Sequence, residues 1–308
     1  MPVSLENIAA RQSGELILTS IISPRVYQFD PSSPHDPLLV AEVPGIGGMT
    51  GIAELEKDVF YVVGLGVETV SPFAPVPGSM GVWRIDVRDC AVEAGAVTGF
   101  GNVTLVAMLP DSQLLNGLCR LASNDTSNLL IADSLAGTVT RLDVTTGKYE
   151  VVIADPTMTI TAADGLQVAI NGIEAYDADL FFTNYNQGLF ARVPISLATG
   201  HASGIVDIVV RTSDVDDFAI SRDGKKAYIA QNGQSTLSEV DIPNRSVKIV
   251  VNSTDLGADA SVAIGRTGHD WDTLYVTASG TTNETVAGNS TVSGRIVSVD
   301  IPAVKFFA

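Results

Sequence analysis

Four residues of this chain could do chemistry together: Glu6, Asn116, Asn171 and Asp216. Each opens one of six similar segments, Glu6-Asn7-Ile8-Ala9, Thr50-Gly51-Ile52-Ala53, Asn116-Gly117-Leu118-Cys119, Asn171-Gly172-Ile173-Glu174, Asp216-Asp217-Phe218-Ala219 and, more faintly, Ala260-Ser261-Val262-Ala263. Two carboxylates and two amide oxygens brought to one point make a hard, all-oxygen environment. Such a set suits Ca²⁺ or Mg²⁺, with water completing the shell. Zinc is not expected, because neither His nor Cys takes these positions. Without a cation the two carboxylates would repel each other, and one would be held protonated as a general acid. The plain alternative is that all four are turn formers at the starts of strands.

Only a closed ring of elements would bring these positions together. The first residues of the six segments lie 44, 66, 55, 45 and 44 residues apart, and a period of roughly 40–50 residues with several strands marks propeller blades. Each segment is followed by an apolar run, at residues 16–19, 59–63, 129–133, 180–183, 227–230 and 274–277. Continuous apolar runs are expected of strands buried on both faces. A third run usually ends in Asp, and fourth strands are expected at residues 104–109, 150–154, 205–210 and 247–251. The expected fold is all-β: one domain over residues 1–308, a six-bladed β-propeller with four-stranded antiparallel blades around a central channel. Chain direction puts the opening residues at the same end as residues 64–81, 155–169 and 280–294. The first of these loops carries Pro72, Phe73, Pro75 and Pro77, a stiff apolar composition suited to a lid. Tyr185, Phe218 and Trp271 are candidate walls for a substrate, and Asn116 a candidate polar contact.

Composition excludes several classes. A net charge of −17 argues against nucleic acid. No run of 18 uncharged apolar residues is present, so no membrane span is expected. The three His share no repeat position, and there is no phosphate loop, Cys-x-x-Cys pair or nucleophile elbow. No organic cofactor is expected. Cys90 and Cys119 are too few for a disulfide framework, and Cys119 reads as a small buried hydrophobe. Six sequons, at Asn102, Asn124, Asn244, Asn252, Asn283 and Asn289, lean towards the secretory route, with any leader removed.

The pattern resembles the SMP-30/gluconolactonase-like propellers, in which a Glu opening the first blade, an Asn before Gly and a later Asp bind a divalent cation. On that resemblance Glu6, Asn171 and Asp216 would be the cation ligands and Asn116 would touch substrate. The chain departs from the family at Asn7 and Asp217, which add bulk beside two of those ligands. Its Leu-Glu-Asn-Ile-Ala start, Asp216-Asp217-Phe218 and Gly265-Arg266-Thr267 are similar to a fungal branch of the family. That branch includes hetero-Diels–Alderases that unite a quinone-methide-type tropolone with a humulene-type alkene. The resemblance implies small apolar, polyketide- or terpenoid-like substrates, with Glu6 or Asp216 assisting as acid. A cation-dependent lactone or ester hydrolase using the same pocket, and a propeller with no chemistry, remain the alternatives.

Overall fold

The computed structural model describes residues 4–33, 36–70, 73–93, 95–279, 285–286, 289–290 and 294–301. Six antiparallel sheets follow one another along the chain. Their innermost strands are Leu5–Ala10, Gly48–Glu56, Leu115–Arg120, Ile170–Tyr176, Val215–Ile220 and Asp259–Ile264. Each innermost strand packs beside the next, and the sixth packs beside the first, so six blades close around an axis. This is the six-bladed β-propeller that the repeat predicts. The first five blades have four strands; the sixth has three among the described residues, its outermost being Arg295–Asp300. Fourth strands run at Asn102–Met108, Tyr149–Ala154, Asp207–Arg211 and Ser246–Asn252, near their expected places, and the first blade adds Leu38–Glu42.

Apolar sequence turns into ring closure through the seams between blades. Six clusters of buried apolar side chains fill these seams, one for each neighbouring pair. The second strands contribute most: Leu16, Ile17, Leu18, Leu180 and Phe182 have no exposed surface. Enclosing one such side chain stabilises the fold by about 1.5–3 kcal/mol. Among the described residues no sheet joins strands from the two ends of the chain. The first and last blades are held instead by Leu5, Ile8, Leu16 and Leu18 against Ala263 and Tyr275. Two hydroxyls add hydrogen bonds across that seam, Thr277 Oγ1 donating to the Glu6 carbonyl at 2.8 Å and Ser279 Oγ to the Leu5 carbonyl at 2.7 Å.

The insertion at residues 64–81 folds in part as a hairpin, Val67–Val70 pairing with Phe73–Pro75. It stands at the end where the innermost strands begin, since Gly47 N–H donates to the Leu65 carbonyl. The insertion at 280–294 lies largely outside the described residues, as do Pro72, His35 and the sequon Asn283.

Candidate active site

Every innermost strand breaks its pairing at the same repeat position. Register shifts fall between Leu5 and Ile8, Met49 and Ile52, Leu115 and Leu118, Ile170 and Ile173, Val215 and Phe218, and Asp259 and Ser261. In five blades the two residues left without a ladder partner are the opening residue and the one after it; in the sixth it is Ala260 alone. A bulge bends its strand and re-aims side chains, which is how these pairs come to face the axis. Three threonines at the ends of second strands hold the bulges. Thr19 Oγ1 accepts from Asn7 N–H and donates to the Thr50 carbonyl, both at 3.0 Å. Thr183 Oγ1 links Gly172 N–H (3.0 Å) to the Asp216 carbonyl (2.5 Å) in the same way. Thr277 Oγ1 links Ser261 N–H to the Glu6 carbonyl. Each ties its own blade's bulge to the next blade's opening residue.

At the end where the innermost strands begin, the opening residues form an acidic cluster. Asn171 Nδ2 donates to Asp216 Oδ1 at 2.6 Å, and Asn232 Nδ2 donates to Asp216 Oδ2 at 3.0 Å. Burial, then Glu6, Asp217 and Asp259 in that order, push the Asp216 carboxyl well above its ordinary range. Burial and the neighbouring Asp217 push Glu6 up to about 8. Asp259, fully enclosed beside the cluster, is raised by burial to about 7, and its Oδ1 has no hydrogen-bond partner. Tyr185 reaches the same end, its hydroxyl donating to Asp214 Oδ1 at 3.1 Å. Asn116 is buried there, and Thr50 Oγ1 donates to the Leu115 carbonyl. The Ca²⁺ or Mg²⁺ set Glu6, Asn171 and Asp216 thus comes together. Both oxygens of Asp216, however, accept from amide N–H groups, so a cation would need those amides turned to present oxygen. Among the described residues no group of three or more His, Cys, Asp and Glu is arranged to hold a metal ion.

One residue further along each strand the channel narrows to a waist. Asn7 Nδ2 donates to Asp217 Oδ2 at 2.8 Å, and Ser261 Oγ lies 3.1 Å from Asn7 Oδ1 and 3.0 Å from Asp217 Oδ2. The other three blades place glycine here. A Cβ on Gly51 would stand 2.3 Å from the Asn116 carbonyl oxygen, one on Gly117 2.3 Å from that of Asn171, and one on Gly172 2.2 Å from Asp217 Oδ1. Glycine is therefore required by close approach of neighbouring strands.

Beyond the waist, at the opposite end, the axis opens into a cavity of about 370 Å³. Its walls include one apolar residue from each blade, Ile8, Ile52, Leu118, Ile173, Phe218 and Val262, all two places after an opening residue. The next place is small in five blades, Ala9, Ala53, Cys119, Ala219 and Ala263, and acidic in one, Glu174. Glu174 lines the cavity, and its Oε2 accepts Ile220 N–H at 2.8 Å. Burial outweighs that hydrogen bond and, with Asp217, lifts Glu174 to about 8. Arg120, Arg222 and Arg266 line the cavity with Glu54.

The expected wall residues therefore divide between the two ends. Asn116 and Tyr185 belong to the acidic end, and Phe73, 36 % exposed, to the hairpin on that side. Phe218 walls the apolar cavity and meets Phe190 edge to face. Trp271, expected beside the opening motifs, is half exposed at the other end, where the Arg222 guanidinium stacks 3.7 Å above its ring. The cause is strand polarity: residues after the bulge lie past the waist, and Trp271 follows the end of its innermost strand. Glu174 stood inside a recognised segment, and its signal was being the one charged residue at a place otherwise small. Arg222 and Arg266 stand six places after their opening residues and Arg120 four, an offset only two blades share, so the spacing did not single them out.

No family model matches the chain. It is 27 % identical over 299 residues, 89 % of its length, to a Phoma protein named "Putative hetero-Diels-Alderase", of which it spans 82 %. It is 28 % identical over 211 residues, 62 % of its length, to one of Sarocladium schorii named "Putative hetero-Diels-Alderase asR5", of which it spans half. Among solved structures, regucalcin of Agrobacterium tumefaciens, titled a calcium-binding protein, is similar with a TM-score of 0.61 at 15 % identity, covering 93 % of this chain and 84 % of that one. At that identity the likeness is one of fold. The resemblance expected from the residues thus holds at two levels: a fold shared with regucalcin, and similarity in sequence to proteins bearing the hetero-Diels-Alderase name.

Proposed function

We propose that the chain is an enzyme joining two small, largely apolar molecules by intermolecular hetero-Diels–Alder cycloaddition, and that the reaction takes place in the cavity walled by Ile8, Ile52, Leu118, Ile173, Phe218 and Val262. The observation that carries this reading is the chamber itself, ringed by one apolar side chain from each blade. Its volume, about 370 Å³, falls in the range of small-molecule sites. The names of the two sequence relatives agree with it.

Cycloaddition asks little covalent chemistry of a protein. The oxygen and the terminal carbon of the heterodiene each form a σ bond to one alkene carbon, three π bonds become one, and no atom leaves. Holding the partners in register can supply roughly 7–11 kcal/mol of the barrier. One group can polarise the heterodiene. Glu174, raised to about 8, carries its proton at neutral pH and can donate a hydrogen bond to the heterodiene oxygen, where charge grows in the transition state. The acid role first assigned to Glu6 or Asp216 passes in this reading to Glu174, because neither of the former lines the chamber. A quinone-methide-type tropolone and a humulene-type alkene are the substrate pair to try.

The test is product stereochemistry. With the protein present, one stereoisomer is expected in excess. Ile173→Trp, which fills the chamber, should return the mixture formed without protein. A product ratio unaffected by the protein would defeat the reading. The acidic cluster at the other end favours a second reading, a cation-dependent lactone or ester hydrolase using Glu6, Asn171 and Asp216. Lactone hydrolysis that needs Ca²⁺ and stops on chelation would support it; activity indifferent to chelation would remove it.

A further inference from the structure

The three arginines around the chamber have a common feature: their guanidiniums are held chiefly by backbone carbonyls. Arg120 donates to the carbonyls of Ser123, Glu54 and Leu55 at 2.6, 2.6 and 2.8 Å. Arg222 donates to the carbonyls of Trp271 and Gly265. Arg266 donates to the Ala10 carbonyl at 2.9 Å and pairs with Glu54. A carbonyl fixes a guanidinium in place without cancelling its charge. Glu54 is the one carboxylate paired with any of the three among the described residues. Burial lowers both Arg120 and Arg222; Glu54 opposes this at the first and Asp272 and Asp270 at the second, and Arg266 adds to the lowering at each. These three arginines share the chamber lining with Glu54, Glu174 and Asp217, in a chain of net charge −17.

We propose that this chamber selects an organic anion: an apolar molecule bearing one carboxylate or enolate oxygen, its body against Ile173 and Phe218 and its charge facing Arg120, Arg222 and Arg266. Guanidiniums already locked in place cost little to organise when the anion arrives. The planar fork matches two oxygens of a carboxylate or of a hydroxy-enone anion. Elsewhere the strongly acidic surface repels anions, so the preference belongs to this chamber. The proposal deepens the cycloaddition reading by naming the head group of one reactant, and it rests on that reading only for the word reactant.

The experiment is equilibrium binding of two unreactive probes with the same ring system, naphthoate and naphthylmethanol, by titration calorimetry. Naphthoate should bind about tenfold more tightly than the alcohol, the size of one charge-assisted contact, and added salt should narrow the gap. Glu54→Gln should tighten naphthoate, Arg266→Gln should weaken it, and neither should move the alcohol. Ile173→Trp should abolish both. Equal affinities, a weakening by Glu54→Gln, or naphthoate binding that survives Ile173→Trp would each overturn the anion site. Should Arg266→Gln not fold, the parent and Glu54→Gln still decide the question. Because the probes do not react, a protein that binds naphthoate but gives no cycloadduct loses only the reaction. One that forms cycloadduct without preferring the anion loses only this inference.

Discussion

Glu174 is the residue on which the proposed chemistry turns. It lines the chamber beside the ring of apolar side chains and is raised to about 8 mainly by burial. If its proton serves the reaction, activity should hold below pH 8 and fall as the carboxyl ionises above it. Glu174→Gln keeps a hydrogen-bond donor but cannot ionise. That variant should retain part of the rate and lose the alkaline fall, read from initial rates across the pH range. A fall unchanged in the variant would assign the limb to another group. Glu174 also differs from Glu6, which is raised to the same value but belongs to the acidic cluster across the waist.

At the scale of elements, the bulge in each innermost strand does the positioning. Thr183 satisfies Gly172 N–H and the Asp216 carbonyl at once. Thr183→Val keeps the shape but leaves both buried groups without that partner, so it should cost about 2 kcal/mol in denaturant unfolding. Gly172→Ala would put a Cβ 2.2 Å from Asp217 Oδ1 and 2.8 Å from its Cα. Since backbone as well as side chain must move, a loss of about 1–3 kcal/mol is expected. The same movement would disturb the Asp217 contacts with Asn7 and Ser261 that shape the waist. In the seams the cost follows volume: Phe182→Ala should lose about 3–5 kcal/mol.

For the whole molecule, the decisive quantities are charge and closure. Glu6, Glu174 and Asp259 have folded values of about 8, 8 and 7, above their unfolded values, so the native state binds more protons than the unfolded one between those limits. Stability must then fall as pH rises from the ordinary carboxyl range through about 8. A melting temperature that drops across this window, with a shallower slope in Glu6→Gln, is the expected result; a flat profile would contradict the assigned protonation. Closure rests on packing between the first and last blades, with Thr277 and Ser279 bonding the carbonyls of Glu6 and Leu5. Thr277→Val combined with Ser279→Ala should speed amide exchange at that seam before any other.

The number of blades, their order and the place where each begins were legible in the residues, because a repeated segment and a repeated apolar run leave the same trace six times. So was the gathering of Glu6, Asn171 and Asp216, since equal repeat positions in a ring must face one axis. The partner of each bulge was not legible: Thr19, Thr183 and Thr277 end ordinary apolar runs, and only pairing across two blades gives them their role. Nor were the arginines, which stand four, six and six places beyond their opening residues and meet only through space. The sequence by itself determined a ring with an acidic end. Tertiary structure alone decided that the waist at Asn7, Asp217 and Ser261 sets that end apart from a chamber ringed by apolar side chains and three arginines. The physical reason is that periodicity records which residues are equivalent, whereas the width of a channel depends on how closely neighbouring strands approach.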